Sequence, residues 1–150
     1  MKTLYIMSGI SGSGKSTVAK TLFPFATYLN ADSIRRELTG DESDQTRNTD
    51  VFKVLYERLK WFVEIGVSDI IVDNTSLTVH DRKKIIDHAK KYGDIHVVIV
   101  FIKPDIGLAI YRNSMRERKV PIDVIRRQFQ KIQWPTAEEK SNYSVLEISV

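Results

Sequence analysis

Apolar residues come in short runs broken by glycine, proline and polar clusters, and the runs are of two kinds. Leu4 to Met7, Thr27 to Leu29, Ile70 to Val72 and His96 to Ile102 are short stretches dominated by apolar, β-branched and aromatic residues, and they predict strands. Elsewhere the spacing is helical. Lys15 to Leu22 predicts a helix stopped near Pro24. Phe52, Leu55, Leu59 and Phe62 are spaced by three, four and three, which predicts a long helix with these side chains inward, ended by Gly66. Asp32 or Ser33 is expected to cap a short helix ending near Leu38, and Thr78 a helix ending near Tyr92 and Gly93. Pro104 and Asp105 should open a helix reaching about Arg118, and Pro121 another to about Gln133. Residues 40–48 read as loop, and Tyr143 to Val150 as a last strand.

Strands alternating with helices predict an α/β three-layer sandwich, with a mostly parallel central sheet and helices on both faces. At 150 residues the chain is expected to form one domain over 1–150. Ligands of such sheets bind beyond the carboxyl ends of the strands. The chemistry is therefore sought in the loops after Met7, Leu29 and Val72.

The first of these loops is the most informative. Gly9-Ile10-Ser11-Gly12-Ser13-Gly14-Lys15-Ser16 fits G-x-x-x-x-G-K-[ST], between a strand and a helix, which is the context the motif requires. Glycines such as Gly12 and Gly14 let the backbone turn its N–H groups around a phosphate, and the helix N-terminus adds its positive dipole end. Ser13 lies within the same cradle. Lys15 is expected to reach the β- and γ-phosphates of ATP or another nucleoside triphosphate, Ser16 to ligate Mg²⁺, and Thr17 to lie beside the α-phosphate. The sandwich expected is thus of the P-loop NTPase type.

The other two loops carry acids. After Leu29 comes Asn30-Ala31-Asp32-Ser33-Ile34-Arg35. Asp32 could accept the proton of an incoming hydroxyl, or it could simply cap the helix. Arg35, one turn on, could hold a phosphate of the acceptor. The strand Ile70 to Val72 ends in Asp73, either a Walker B-like acid near Mg²⁺ or a structural strand end.

Residues 112–119 hold four basic side chains and one acid, Glu117. Arg112 and Arg116, four apart, are expected on one helix face. Phosphoryl transfer needs cations over the developing charge, so this segment reads as a lid rather than as a solvated basic face. Arg126, Arg127 and Lys131 read as a solvated face or a nucleic-acid rim.

Composition narrows the partners. There is no cysteine, which excludes disulfides and thiolate metal sites. The three histidines show no metal-ligand spacing and read as structural. Net charge is +4 with a pI near 9.3, mildly favouring a polyanionic partner. The longest apolar stretches fall well short of the roughly 20 residues a membrane span needs, and the N-terminus is no signal peptide. A cytoplasmic protein without a membrane partner is expected. Trp61 is expected in the core. Trp134 could pack the C-terminal segment or stack on a base.

Taken in order, the motifs resemble the kinase domain of phage-type 5′-hydroxyl polynucleotide kinases, within the wider P-loop kinases. The resemblance covers about residues 4–133. It rests on Gly12-Ser13-Gly14-Lys15-Ser16-Thr17, Asn30-x-Asp32-x-x-Arg35, Asp73-Asn74-Thr75-x-Leu77, Ala89-Lys90-x-Tyr92-Gly93, Arg112-Asn113-Ser114-x-Arg116 and Val120-Pro121-Ile122-Asp123-Val124-Ile125-Arg126. It implies that Asp32 is the general base, that Arg35 contacts the acceptor phosphate, and that Arg112 and Arg116 are lid arginines on the donor phosphates. It implies a nucleic-acid strand with a 5′-hydroxyl end as acceptor. Three departures stand out. The family's acid after the third strand falls on Asn74, with Asp73 one step earlier. The lid is one residue shorter before Pro121. No D-x-D-G-T phosphatase motif follows the kinase residues, so a kinase-only protein is expected. Two other functions fit the same scaffold: a kinase of a nucleoside or other small metabolite, and a nucleotide-dependent switch without transfer.

Overall fold

The computed structural model describes residues 2–150. The elements run β1 (Thr3–Ser8), α1 (Lys15–Leu22), β2 (Thr27–Leu29), α2 (Ala31–Thr39), α3 (Asn48–Ile65) and β3 (Asp69–Asp73). They continue with α4 (Val79–Lys90), β4 (His96–Ile102), α5 (Ile106–Ser114), α6 (Ile122–Lys131), α7 (Ala137–Asn142) and β5 (Ser144–Ile148). The strands form one sheet in the order β2-β3-β1-β4-β5, and every pairing is parallel. This is the expected three-layer α/β sandwich.

The two faces of the sheet follow from alternation along β1. Leu4 and Ile6 join Val51, Leu55, Leu59, Val63, Ile85 and Ile86 in the larger core, under α3 and α4. Met7 and the half-buried Tyr5 face the other way, with Val18 and Ala19 of α1. A third cluster, Ile10, Leu77, Ala109 and Ile125, seats α5 and α6 beyond the carboxyl ends of the strands.

Several sequence expectations need correction. The buried stripe of α3 is Val51, Leu55, Leu59 and Val63, while Phe52 is 40% exposed. Stepping by four lets the smaller β-branched residues face the sheet, and the larger rings move to the margin. Trp61 lies on the outer side of the same helix and is exposed, not core. Trp134 packs on Phe101, with ring centroids 5.1 Å apart.

Helix α7 has no counterpart in the sequence reading. Its signal is local: Thr136 and Glu139 form a capping box. Glu139 also takes both nitrogens of a bidentate pair from Arg82, at 2.8 and 2.9 Å. Both side chains are buried, so this ion pair fastens the C-terminal segment to α4. No helix among the described residues is long and apolar enough to cross a membrane.

Candidate active site

Sheet register brings the three loops together. Met7, the last apolar residue of β1, pairs with Asp73 at the end of β3. Leu29 pairs with Val72, so Asn30 emerges beside Asp73. The phosphate-loop motif, the Asn30–Arg35 segment and the Asp73 loop thus leave the sheet at one edge.

In the phosphate loop Gly12 and Gly14 have φ of 80° and 91°, a region that L side chains rarely adopt. A Cβ on Gly12 would stand 2.4 Å from the Ala109 carbonyl. Gly14 opens α1 with no side-chain cap, so the first turn of the helix presents its N–H groups to the loop. Two outside contacts brace the loop: Ser11 N–H donates to Gln128 Oε1 at 2.8 Å, and Arg112 Nη1 donates to the Ser13 carbonyl at 3.0 Å. Lys15 Nζ donates to the Ile10 carbonyl at 3.2 Å. Burial holds the Lys15 ammonium below its ordinary range, with Arg116 adding to the effect and Asp73 and Asp32 opposing it.

On the metal side, Ser16 Oγ donates to Asp73 Oδ2 at 2.7 Å. The Tyr28 hydroxyl donates to the same oxygen. Burial, together with the Asp73 carboxylate, drives the phenol pKa well above its usual range. Asp73 Oδ1 is buried with no partner, as is Ser13 Oγ. An orphaned carboxylate oxygen beside a serine hydroxyl fits a Mg²⁺ ion whose other ligands are phosphate oxygens and water. Among the described residues no group of three acidic or histidine side chains could hold a cation alone.

The second loop resolves the two readings of Asp32 in one respect: it is not the cap. Asn30 is the N-cap of α2, and its side chain accepts from Ser33 N–H at 2.9 Å. Asn30 also donates to the Asp73 carbonyl at 2.6 Å, and Asn74 Oδ1 accepts from Ala31 N–H at 2.9 Å. Asn74 therefore docks α2 on β3, while Asp73 faces Ser16. Asp32 is left with a half-exposed carboxylate, gripped by Arg35 Nη1 at 2.6 Å. Arg35 is buried. Its Nε and Nη2 donate to Asn48 Oδ1 at 3.1 and 2.9 Å, and Nη1 donates to the Glu42 carbonyl at 3.3 Å as well. Of the five N–H groups of a guanidinium, these contacts leave one.

The basic segment departs from expectation. Helix α5 ends at Ser114, so Arg112 and Arg116 do not share a helix face. Asn113 is the cause. Its amide donates to the Val120 carbonyl at 2.7 Å and its oxygen accepts from Val120 N–H at 2.9 Å, folding residues 114–119 into a closed loop. Arg116 still lines the cleft. Arg118 binds Glu42, and its Nη2 lies 3.9 Å from Asp32 Oδ2.

Gly12, Gly14, Lys15, Ser16, Thr17, Asp32, Arg35, Asp73, Arg112 and Arg116 all line one cleft of about 970 Å³. Ser13 is buried in the loop itself. Phe52, Glu42 and Gln128 also line the cleft, and sequence reasoning had not placed them in the site; Arg118, read only as part of the basic lid segment, lines it too. Tyr28 was missed too. The signal for Tyr28 is its parallel register with β3, which no local pattern displays.

The AAA-domain family model matches residues 4–135, and the chain belongs to that family. It is 27% identical over 141 residues to an L-seryl-tRNA(Sec) kinase of Methanococcus maripaludis, covering 88% of this chain and 53% of that protein. It is 28% identical over 149 residues to a protein of Autographa californica nuclear polyhedrosis virus named as a bifunctional polynucleotide kinase/RNA ligase, covering 87% of this chain and 21% of that one. The chain thus spans about half of the first relative and a fifth of the second. Among solved structures, a gluconokinase from Sinorhizobium meliloti 1021 superposes with a TM-score of 0.64 at 18% identity, over 97% of this chain and 82% of that one. The fold is that of the P-loop kinases.

Proposed function

We propose that this chain transfers the γ-phosphoryl group of ATP, with Mg²⁺, to the 5′-hydroxyl of a DNA or RNA strand. One observation carries the reading. Asp32, relieved of capping by Asn30, presents a half-exposed carboxylate in the same cleft as Lys15 and Ser16. A carboxylate in the first turn of a helix, held by a buried arginine and lining the same cleft as a phosphate cradle, suits a hydroxyl acceptor.

In this reading Lys15, the loop N–H groups and Arg112 hold the donor phosphates. Ser16, with Asp73 behind it, would hold Mg²⁺, which when bound would supply charge neutralisation to the donor phosphates. Asp32 takes the proton of the acceptor hydroxyl as its oxygen bonds to the γ-phosphorus, and ADP departs with the electrons of the broken P–O bond. Arg116 stabilises the charge of the transferring group. Arg35 fixes Asp32 and turns its remaining N–H toward the acceptor phosphate. The exposed ring of Phe52 and the Val120-Pro121 step give the cleft apolar walls of the kind a nucleoside meets. The viral relative's name supports the polynucleotide acceptor.

A second reading has support of its own. The first relative is named for a seryl-tRNA acceptor, and a carboxylate beside a phosphate cradle serves any hydroxyl. Labelled ATP and Mg²⁺ offered with a panel of 5′-hydroxyl oligonucleotides, nucleosides, sugars and aminoacylated tRNA separates the readings. Label on 5′-hydroxyl strands, and none on the matching 5′-phosphorylated strands, is the expected result. Transfer only to a sugar, a nucleoside or seryl-tRNA would contradict it.

A further inference from the structure

We propose that Arg118 is a positioning residue which, through Glu42, latches the lid loop onto the acceptor side of the cleft and sets Asp32 in place. The inference rests on the transferase reading above and goes beyond it, because neither Arg118 nor Glu42 belongs to the phosphate cradle.

The two ends of this latch differ in how firmly they are held. Glu42 sits in a loop that bonds to itself. Ser43 N–H donates to Asp41 Oδ1 and Thr46 N–H to Asp44 Oδ1, both at 2.9 Å, and the Thr39 hydroxyl donates to the Asp41 carbonyl at 2.7 Å. Arg35 grips the Glu42 carbonyl, and Arg36 of α2 binds its carboxylate. Burial pushes that carboxyl up, but Arg118 and Arg36 outweigh burial and hold it below its usual range. The anchor is therefore built from α2 and its own loop, independent of the lid.

The other end is the loop 114–119. Asn113 pins its base to Val120, and beyond Ser114, the last residue of α5, nothing in it is helix or strand. Two of its arginines serve opposite sides of the cleft. The charge of Arg116 bears on Lys15, on the donor side. Arg118, two residues later, binds Glu42 and reaches within 3.9 Å of Asp32 Oδ2. Asp32 is thus flanked by Arg35 from beneath and Arg118 from the lid. A loop seated at both sides can settle over the donor only in register with the acceptor base, which ties closure to the geometry of transfer.

Hydrogen exchange on the full chain tests the latch without any acceptor. Arg118→Ala and Glu42→Ala are each expected to speed exchange roughly 10-fold in both segments, 114–120 and 41–47, because one bond joins them. The double variant is expected to exchange no faster than Glu42→Ala alone, which also loses the Arg36 contact. Acceleration confined to each variant's own segment, or additive acceleration in the double variant, overturns the latch. Kinetics test the positioning of Asp32. Arg118→Ala is expected to lower kcat/KM for the acceptor about 10-fold or more, with ATP affinity within about twofold. Arg118→Lys is expected to recover part of the loss. In an Asp32→Asn background the Arg118 effect should vanish, and a full effect there overturns the assignment. A wild-type chain that labels no oligonucleotide would contradict the polynucleotide reading, while the exchange result would still decide the latch.

Discussion

Ser16 Oγ donates to Asp73 Oδ2 at 2.7 Å, joining the first turn of α1 to the end of the neighbouring strand β3. The bond places a hydroxyl and a carboxylate where a divalent cation would meet phosphate. Asp73→Asn keeps the size of the side chain and one acceptor oxygen but removes the charge. Turnover is expected to fall about 10²-fold or more, as for loss of a preorganised charge-stabilising group. Stabilisation of the fold by ATP is expected to lose its Mg²⁺ dependence. Thermal unfolding with ATP, with and without Mg²⁺, checks this. Unchanged metal dependence would remove Asp73 from the metal site.

Lys15 predicts a pH effect. Burial lowers its pKa in the folded chain below the ordinary lysine value of 10.5. Below the folded pKa the lysine is charged in both states, and the burial penalty is fully present. As pH rises through that value the native chain sheds the proton first, so this group's contribution to stability rises until 10.5. Bound phosphate favours the ammonium. Nucleotide binding in that window is therefore expected to take up protons. Calorimetry in two buffers of different ionisation heat measures the uptake, and Lys15→Met should abolish it.

Arg116 belongs to a loop rather than a helix, but its charge still bears on Lys15. Arg116→Ala is expected to lower kcat by roughly 10³-fold, the order for an arginine acting on the transferring phosphoryl group. Lysine at this position should restore only part, because the planar fork is lost. A change confined to acceptor KM would contradict the donor-side assignment.

The buried Arg82–Glu139 pair predicts a stability effect away from the site. Arg82→Met leaves a buried carboxylate uncompensated, and the expected cost is about 3–5 kcal/mol. For a chain of this length that lowers Tm by roughly 10 °C. Burial pushes the Glu139 carboxyl up, but Arg82 and the Thr136 backbone outweigh it and hold it below the usual value of 4.5. Its stabilisation is therefore full above 4.5 and is lost as pH falls through the lowered value. Urea unfolding across the acid range should show a shallower acid loss in Glu139→Gln than in wild type.

The phosphate loop and the strands β1, β2, β3 and β4 were legible because each is a local pattern: a fixed motif, or a short apolar run. The lid was only half legible. Arg112 and Arg116 have helical spacing, but Asn113 closes a loop by bonding Val120, and a tertiary bond overrides spacing. Asp32 looked like a cap because cap residues cluster there. Asn30, two residues earlier, takes the role because it can also reach the Asp73 carbonyl. Glu42 and Tyr28 were invisible because their partners lie 76 and 45 residues away.

The central claim is that Asp32 accepts the proton of a strand's 5′-hydroxyl, and Asp32→Asn tests it most directly. The amide keeps the shape of the side chain and leaves the cap on Asn30 untouched. The measurement is single-turnover transfer from labelled ATP to a short 5′-hydroxyl oligonucleotide, with unfolding temperature and ATP affinity recorded on the same preparation. Transfer is expected to fall about 10²–10⁴-fold while folding and ATP binding stay at wild-type values. Transfer at the wild-type rate by Asp32→Asn would contradict the account.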